Sequence, residues 1–407
     1  MTPGVEYRPP PPLMTSEPGS FARKTIVERK PQIIDEVSRA YDYPPEIESG
    51  LRDYAHEIAS LPIQPLREDA PDVELWNGAW AEFEGRTWLD VPWYFAETFF
   101  YRRLMEVVRF YQPGPWHDVD PFAPQKAAQL DGALSAFLAI LAQDNVLARA
   151  APDARAAFTS RLHDALWGNR ADLSNRTISA TAGEGLQGRQ AERLLIDDTP
   201  RIWQHLIARA PARVDVVADN SGLELLLDLR LADFLLHGGP ANAPMAREVR
   251  LHLKRMPFFV SDAMLRDLEH TLDRLAAVAS PGTDMAARLR AALASGALIL
   301  GDDPFWSTCL SYHRMPAHVH RELAASDLLL FKGDVNYRRL LDDRHWPHTT
   351  RLADITRHMP APFVALRTLK GELIVDLKPG QAESLAAVDP TWMINGQRGV
   401  VQFVDPT

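Results

Sequence analysis

Val214-Asp215-Val216-Val217-Ala218-Asp219-Asn220-Ser221-Gly222 opens a segment that closes at Glu248-Val249-Arg250-Leu251-His252-Leu253. Residues 214–218 are a short apolar run, and Asp219 to Gly222 form a polar turn. A stretch with Leu223, Leu226, Leu227, Leu231, Phe234 and Leu235 follows at helical spacing and stops at Gly238-Gly239. Residues 248–253 then read as a second strand. Strand, helix and strand over about forty residues make a βαβ unit, which predicts a parallel pair joined by a right-handed crossover.

Downstream, a helix is expected from Asp262, with Leu265, Leu268, Leu272 and Leu275 on one face. Further strand candidates are 297–301, 328–331, 363–367 and 399–403. Strands separated by helices predict an α/β fold: an α-β-α sandwich around an open, mostly parallel sheet. Upstream, residues 25–176 read as helical. Leu130, Leu134, Phe137, Leu138 and Leu141 form one apolar stripe, and Phe158, Leu162 and Leu166 another, separated by Pro152-Asp153. A third helix is expected from Trp93 to Phe110, and no strand-like run is visible in this half. The expected organisation is an extended Pro-rich arm (1–24), a helical N-terminal part (25–185) and an α/β domain (186–407). Pro9 to Pro12 predict a solvated arm.

The 407 residues carry 44 Lys plus Arg against 54 Asp plus Glu, a formal charge of −10. An acidic chain without a basic run is a poor fit to nucleic acid, which demands many phosphate contacts. Cys309 is the single cysteine, so neither an internal disulfide nor a cysteine-based zinc site can form. No apolar stretch approaches the roughly 18 residues of a membrane span. The first twenty residues lack the basic start and apolar core of a signal peptide, so a cytoplasmic location is expected.

In an open α/β sheet, ligands bind beyond the carboxyl ends of the strands. Asp219 and Asn220 follow the first strand, and Asp262 opens a helix after the second. Lys332-Gly333-Asp334-Val335-Asn336-Tyr337-Arg338 follows the strand at 328–331, and Arg367-Thr368-Leu369-Lys370 follows the strand at 363–366. Asp219 and Asp262 also suit ordinary helix caps. Four polar clusters at one end of one sheet favour a site instead. Carboxylate and amide oxygens suit magnesium or manganese, and Arg and Lys beside them suit a phosphate. Neither GxxxxGK[ST] nor GxGxxG follows the 214–218 strand, which disfavours P-loop and dinucleotide folds. No Gly-x-Ser-x-Gly elbow is present. The histidines at 313, 318 and 320, and those at 345 and 348, lack acidic partners at ligand spacing and read as surface or structural groups.

An ordered set of strings resembles the damage-control phosphatase family, formerly a domain of unknown function, in its acidic-residue methyltransferase-like subfamily. These are Ser20-Phe21-Ala22 with Thr25, Arg29, Pro31 and Gln32, and Pro92 to Glu97 with Tyr101 to Leu104. Leu166-Trp167-Gly168-Asn169 with Asp172-Leu173-Ser174 follows, then Asp219 to Glu224, Pro257 to Asp262, Phe331 to Arg338, Arg367 to Lys370 and Gly399 to Phe403. Ser221 stands where the family pattern suggests alanine. The resemblance implies hydrolysis of small sugar phosphates, such as fructose 1-phosphate or a related ester. It implies one divalent ion, Mn2+ or Mg2+ with Co2+ or Ni2+ as alternatives, bound by Asp219, Asn220 and Asp262. Asp219 and Asp262 would be catalytic. Glu224, Asp334, Asn336, Arg338 and Lys370 would contact the substrate, with Lys370 on its phosphate. Arg102 and Trp167 to Arg170 are expected at the pocket edge.

The partner implied is a small phosphorylated metabolite, with no nucleic acid or membrane and a monomer favoured. Two alternatives attach to the same fold: a protein carboxyl methyltransferase using S-adenosylmethionine, and a non-catalytic metabolite-binding protein. The single glycine of the 219–222 turn suits a cation better than an adenosyl group, and all three candidate ligands of a metal are present.

Overall fold

The computed structural model describes residues 9–150, 153–168 and 193–406. Its centre is a sheet of seven described strands: β1 (Leu194–Asp197), β2 (Ala212–Val217), β3 (Ala246–His252), β4 (Leu298–Gly301), β5 (Leu328–Lys332), β6 (Phe363–Thr368) and β7 (Gly399–Val404). They lie in the order β1-β7-β6-β5-β2-β3-β4. Strands β2 to β6 are parallel, whereas β7 pairs antiparallel with β6 and parallel with β1. The mostly parallel α-β-α sandwich expected from sequence is therefore present, with two reversed strands at one edge. β1 was not expected. It has four residues, and none of them is fully buried, so it lacks the apolar run that marks the central strands.

Both faces of the sheet are buried, which explains those runs. Along β5, Leu328 and Leu330 enter one core, with Val214, Val216, Leu251 and Val364, whereas Leu329 and Phe331 enter the opposite one, with Val217, Phe363 and Ala365. The first face is covered by helices Thr199–Arg209, Leu223–His237, Leu265–Ala276 and Gly282–Ser295. Helices Ala123–Ala150 and Ala154–Trp167 belong to this layer as well: Leu130, Phe137, Phe158 and Leu162 share its core. The helical stretch assigned by sequence to the N-terminal part is thus divided between a cap and the sandwich.

The cap has its own core, built from helices Lys30–Ser38, Pro45–Ser60, Val73–Ala81 and Trp93–Val107. Met256, Phe258, Val260 and Met264 complete that core, so the cap sits on the loop that follows β3. The Pro-rich arm departs from expectation from residue 9 onward. Pro12 bridges Arg344, Met14 bridges Pro92, and Leu13 and Thr15 are buried. Pro10 O accepts from Arg344 Nη1 at 2.9 Å and Pro11 O from His345 N at 3.0 Å, and Leu13 is buried beside them, so the run is pinned rather than solvated. Residues 1–8 lie outside the described residues.

Candidate active site

β2 lies between β3 and β5, and the chain leaves it first toward β3 and later returns on the other side as β5. The end of β2 is therefore the switch point where a crevice opens. A cavity of about 210 Å³ lies there. The sandwich contributes Asp219, Asn220, Glu224, Ser261, Asp262, Asp334 and Lys370 to its wall. The arm and cap contribute Phe21, Thr25, Arg29, Trp93 and Glu97. Thr25 and Arg29 stand at the ends of a π-helical turn, Thr25–Arg29, a local widening of the helix that often marks functional sites. Thr25 Oγ1 accepts from Trp93 Nε1 at 2.7 Å, which ties that turn to the Trp93–Val107 helix.

The turn after β2 is stitched to the loop after β3. Ser221 N donates to Ser261 O at 2.7 Å, and Ala263 N donates to Asp219 O at 2.8 Å. Ser261 Oγ donates to Asn220 Oδ1 at 2.5 Å. Asn220 Nδ2 donates to Asp219 Oδ2 at 2.7 Å and to Glu224 Oε2 at 2.9 Å. This stitching holds Phe259 and Val260 at φ 45° and 66°, a left-handed conformation unusual for such side chains. On the other side, Gly333 has φ +82°, and a Cβ there would lie 1.9 Å from Asp219 Oδ2. Only glycine lets the strand end approach that carboxylate.

The electrostatics are unbalanced toward negative charge. Burial, with Glu224 and Asp262 close by, drives the Asp219 carboxyl well above its ordinary range. Burial also raises Asp262, to about 6, although Lys254 Nζ opposes this from 3.4 Å. That pair lacks a well-aligned hydrogen bond, and Asp262 Oδ2 and Lys254 Nζ are both buried without one. Lys332 donates to Glu224 Oε1 and to Ala165 O, each at 2.8 Å, and faces Asp228 at 2.9 Å. Burial works against the Lys332 charge, but Asp228 and Glu224 outweigh it and hold the ammonium above its ordinary value.

Asp334 is clamped. Arg338 Nε donates to its Oδ2 at 2.7 Å and Arg367 Nε to its Oδ1 at 2.6 Å. Burial favours the neutral acid, but the two guanidiniums outweigh it and lower the carboxyl to about 2.

Of the residues expected at the site, Asp219, Asn220, Asp262, Glu224, Asp334 and Lys370 meet on one cavity wall. Asn336 and Arg338 do not reach it. Asn336 is fully buried, donating to Lys332 O at 2.8 Å and accepting from Tyr312 Oη at 2.7 Å. Arg338 lies one helical turn below Asp334, bonded to it and to Asp343 and stacked 4.0 Å from the Trp93 ring. Arg102 is also corrected: it is buried in the cap, paired with Glu68 and Asp72 at 2.6 and 2.7 Å. Asn169 and Arg170 lie outside the described residues. The reading by strand ends quoted Lys332 in a polar cluster without giving it a role, and it missed Lys254, because a lysine after a strand looks like a solvated terminus. It also missed Arg29, Glu97 and Trp93 as cavity residues, although they stood in the resembling strings.

Among the described residues no three His, Cys, Asp or Glu side chains group as a metal site by themselves. Asp219 and Asp262 share the wall with the amide of Asn220 as a third oxygen donor. Which end of that amide faces the carboxylates is a matter of its rotation, since oxygen and nitrogen are interchangeable by a flip. Hard oxygen donors, a buried carboxylate oxygen lacking a hydrogen bond and uncompensated negative charge fit a divalent cation.

Fold and site thus define an α/β protein with an acidic cavity at the carboxyl ends of its parallel strands. The family model for the damage-control phosphatase ARMT1-like domain matches residues 25–385. Damage-control phosphatase ARMT1 of Danio rerio is 33% identical, with 98% of each chain covered. That of Mus musculus is 32% identical, over 97% of this chain and 98% of that one. The crystal structure of a DUF89 family protein from Pyrococcus horikoshii aligns over 94% of this chain and 96% of that chain, at 14% identity and a TM-score of 0.47. The chain belongs to the ARMT1-like damage-control phosphatase family.

Proposed function

We propose that this protein is a divalent-metal-dependent phosphatase acting on phosphate monoesters of small sugars. The observation that carries this reading is the meeting of Asp219, Asn220 and Asp262 with Lys370 and Arg29 around one cavity of about 210 Å³. That volume is below the roughly 300–1,000 Å³ of pockets for drug-sized ligands, as suits a short polyol ester.

Asp219, Asn220 and Asp262 would hold Mn2+ or Mg2+. When bound, such an ion polarises phosphoryl oxygens and neutralises their charge. Lys370 would attract the phosphate as a point charge, and the first turn of helix Gly333–Leu340, whose residues line the cavity, has backbone N–H groups without helical partners that could bind it too. Lys332 bonds Glu224 and aims it along the wall, where its other oxygen would accept a sugar hydroxyl hydrogen. Asp334, fixed by Arg338 and Arg367, retains lone pairs for another sugar hydroxyl. Phe21, Trp93, Leu166 and Phe259 supply apolar surface to the cavity wall.

The test is phosphate release from a panel of sugar phosphates with Mn2+, Mg2+, Co2+ or Ni2+ added. Turnover of fructose 1-phosphate or a close relative, lost on chelation and lost in Asp262→Ala, is expected. Release from no ester with any of these ions would overturn the reading.

A further inference from the structure

Asp262-Ala263-Met264 is gripped at four successive backbone groups. Asp262 O accepts from Lys126 Nζ at 2.9 Å. Ala263 N donates to Asp219 O at 2.8 Å, and Ala263 O accepts from Lys254 N at 2.9 Å. Met264 N donates to Asp267 Oδ2 at 2.9 Å. The first of these grips comes from another layer of the molecule, since Lys126 stands in the first turn of helix Ala123–Ala150.

The Lys126 side chain is 4% exposed. Besides Asp262 O, it bonds Asp267 Oδ2 at 2.9 Å and faces Asp120 Oδ2 at 2.9 Å. Burial disfavours its charge, but Asp120 and Asp267 outweigh that effect and keep it protonated. One cation therefore fixes the Asp262 carbonyl directly and the Met264 amide through Asp267. Asp262 N donates to Phe258 O at 3.2 Å, so the peptide planes on both sides of Asp262 are held, and together they set the direction in which its side chain leaves the backbone. Just upstream, Phe259 and Val260 hold left-handed conformations at φ 45° and 66°, so the segment has somewhere to relax if the grip is lost.

We propose that Lys126 is a positioning residue of the metal site, orienting Asp262 through its main-chain carbonyl so that divalent-ion affinity depends on this lysine. The proposal rests on the metal-dependent reading above. Lys126 touches no cavity-wall side chain with its ammonium and acts on the wall only through the backbone of Asp262 and the carboxylate of Asp267. Partners that orient a metal ligand, when removed, typically weaken binding by about 10–100-fold.

The experiment is a calorimetric Mn2+ titration of the full chain without substrate, comparing wild type with Lys126→Met, Lys126→Arg and Asp120→Asn. Circular dichroism would monitor folding. Lys126→Met should weaken Mn2+ binding by about 10–100-fold, and saturating Mn2+ should restore most of the turnover. Asp120→Asn loses a partner of the same ammonium but keeps the bond to Asp262 O, and should bind Mn2+ like wild type. A folded Lys126→Met with wild-type affinity would overturn the proposal. So would an Asp120→Asn that weakens binding as much as Lys126→Met, because a general loss of stability would then explain both. If Lys126→Met fails to fold, Lys126→Arg decides: its longer, planar donor set should still weaken Mn2+ binding measurably, and unchanged affinity refutes the idea. A wild-type chain that binds none of Mn2+, Mg2+, Co2+ or Ni2+ would instead overturn the metal-dependent reading itself, and the proposal with it.

Discussion

Gly333→Ala is the sharpest probe of the site's construction, because it separates a small cost in stability from a large cost in activity. The added Cβ would lie 1.9 Å from Asp219 Oδ2 and 2.2 Å from its Cγ. Carbon and oxygen settle no closer than about 3.3 Å, so the Asp219 carboxylate must move by about 1.4 Å. It cannot rotate away freely, since Asn220 Nδ2 holds it and Glu224 and Asp262 crowd it. The backbone penalty for alanine at φ +82° is about 1–2 kcal/mol. A displacement of about 1 Å in a reacting constellation costs about 100-fold in rate. Urea unfolding should therefore show a loss of about 1–2 kcal/mol, while turnover of a sugar phosphate falls by about 100-fold or more. Turnover within a few-fold of wild type would refute the reasoning, because Asp219 would then not be needed where the strand end puts it.

Three further outcomes are expected. The Asp334 carboxyl lies at about 2 in the folded chain and near 3.9 in the unfolded one. A depressed acid stabilises above its unfolded value, so a contribution of up to about 2.6 kcal/mol is present above about pH 4 and fades as the pH falls toward 2. The urea-midpoint difference between wild type and Asp334→Asn should shrink over that window, and a constant difference would count against the clamp. Lys370→Ala should raise KM for every phosphate ester alike, by about 10–100-fold for a lost charge-assisted bond, whereas Asp334→Asn should change the ranking among sugars; equal losses in both variants would refute that division. Deleting residues 1–185 should give insoluble protein, since it strips Leu130, Phe137, Phe158 and Leu162 from the sheet's core. A soluble, active fragment would contradict this.

The sequence was most informative where one chain segment settles one element. The run 328–331 is a strand buried on both faces, and such burial favours apolar side chains at consecutive positions rather than alternate ones. The run 214–217 follows the same rule except at Asp215, whose buried carboxylate is paired with Arg213 and His252. Because those strands run parallel, their carboxyl ends share one edge, so Asp219, Asp262 and Lys370 were legible as neighbours although 151 positions separate the first from the last.

Tertiary structure decided what happens within a helical turn and across layers. Asp334, Asn336 and Arg338 stand in one string, yet only Asp334 faces the cavity. Each helical residue turns about 100°, so Asn336 points into the sheet, where Tyr312 meets it, and Arg338 lies one turn deeper, under Asp334. The reversed direction of β7 and the pinning of the Pro-rich arm on Arg344 and Pro92 were likewise invisible, because pairing partners lie far away in sequence. The hold of Lys126 on Asp262, across 136 positions, exists only once the helix it stands on has packed against the sheet. Local pattern specifies which residues are buried and which end elements. Only the packed chain specifies which polar groups then face one another, because that depends on rotation about helix axes and on contacts between layers that no local spacing encodes.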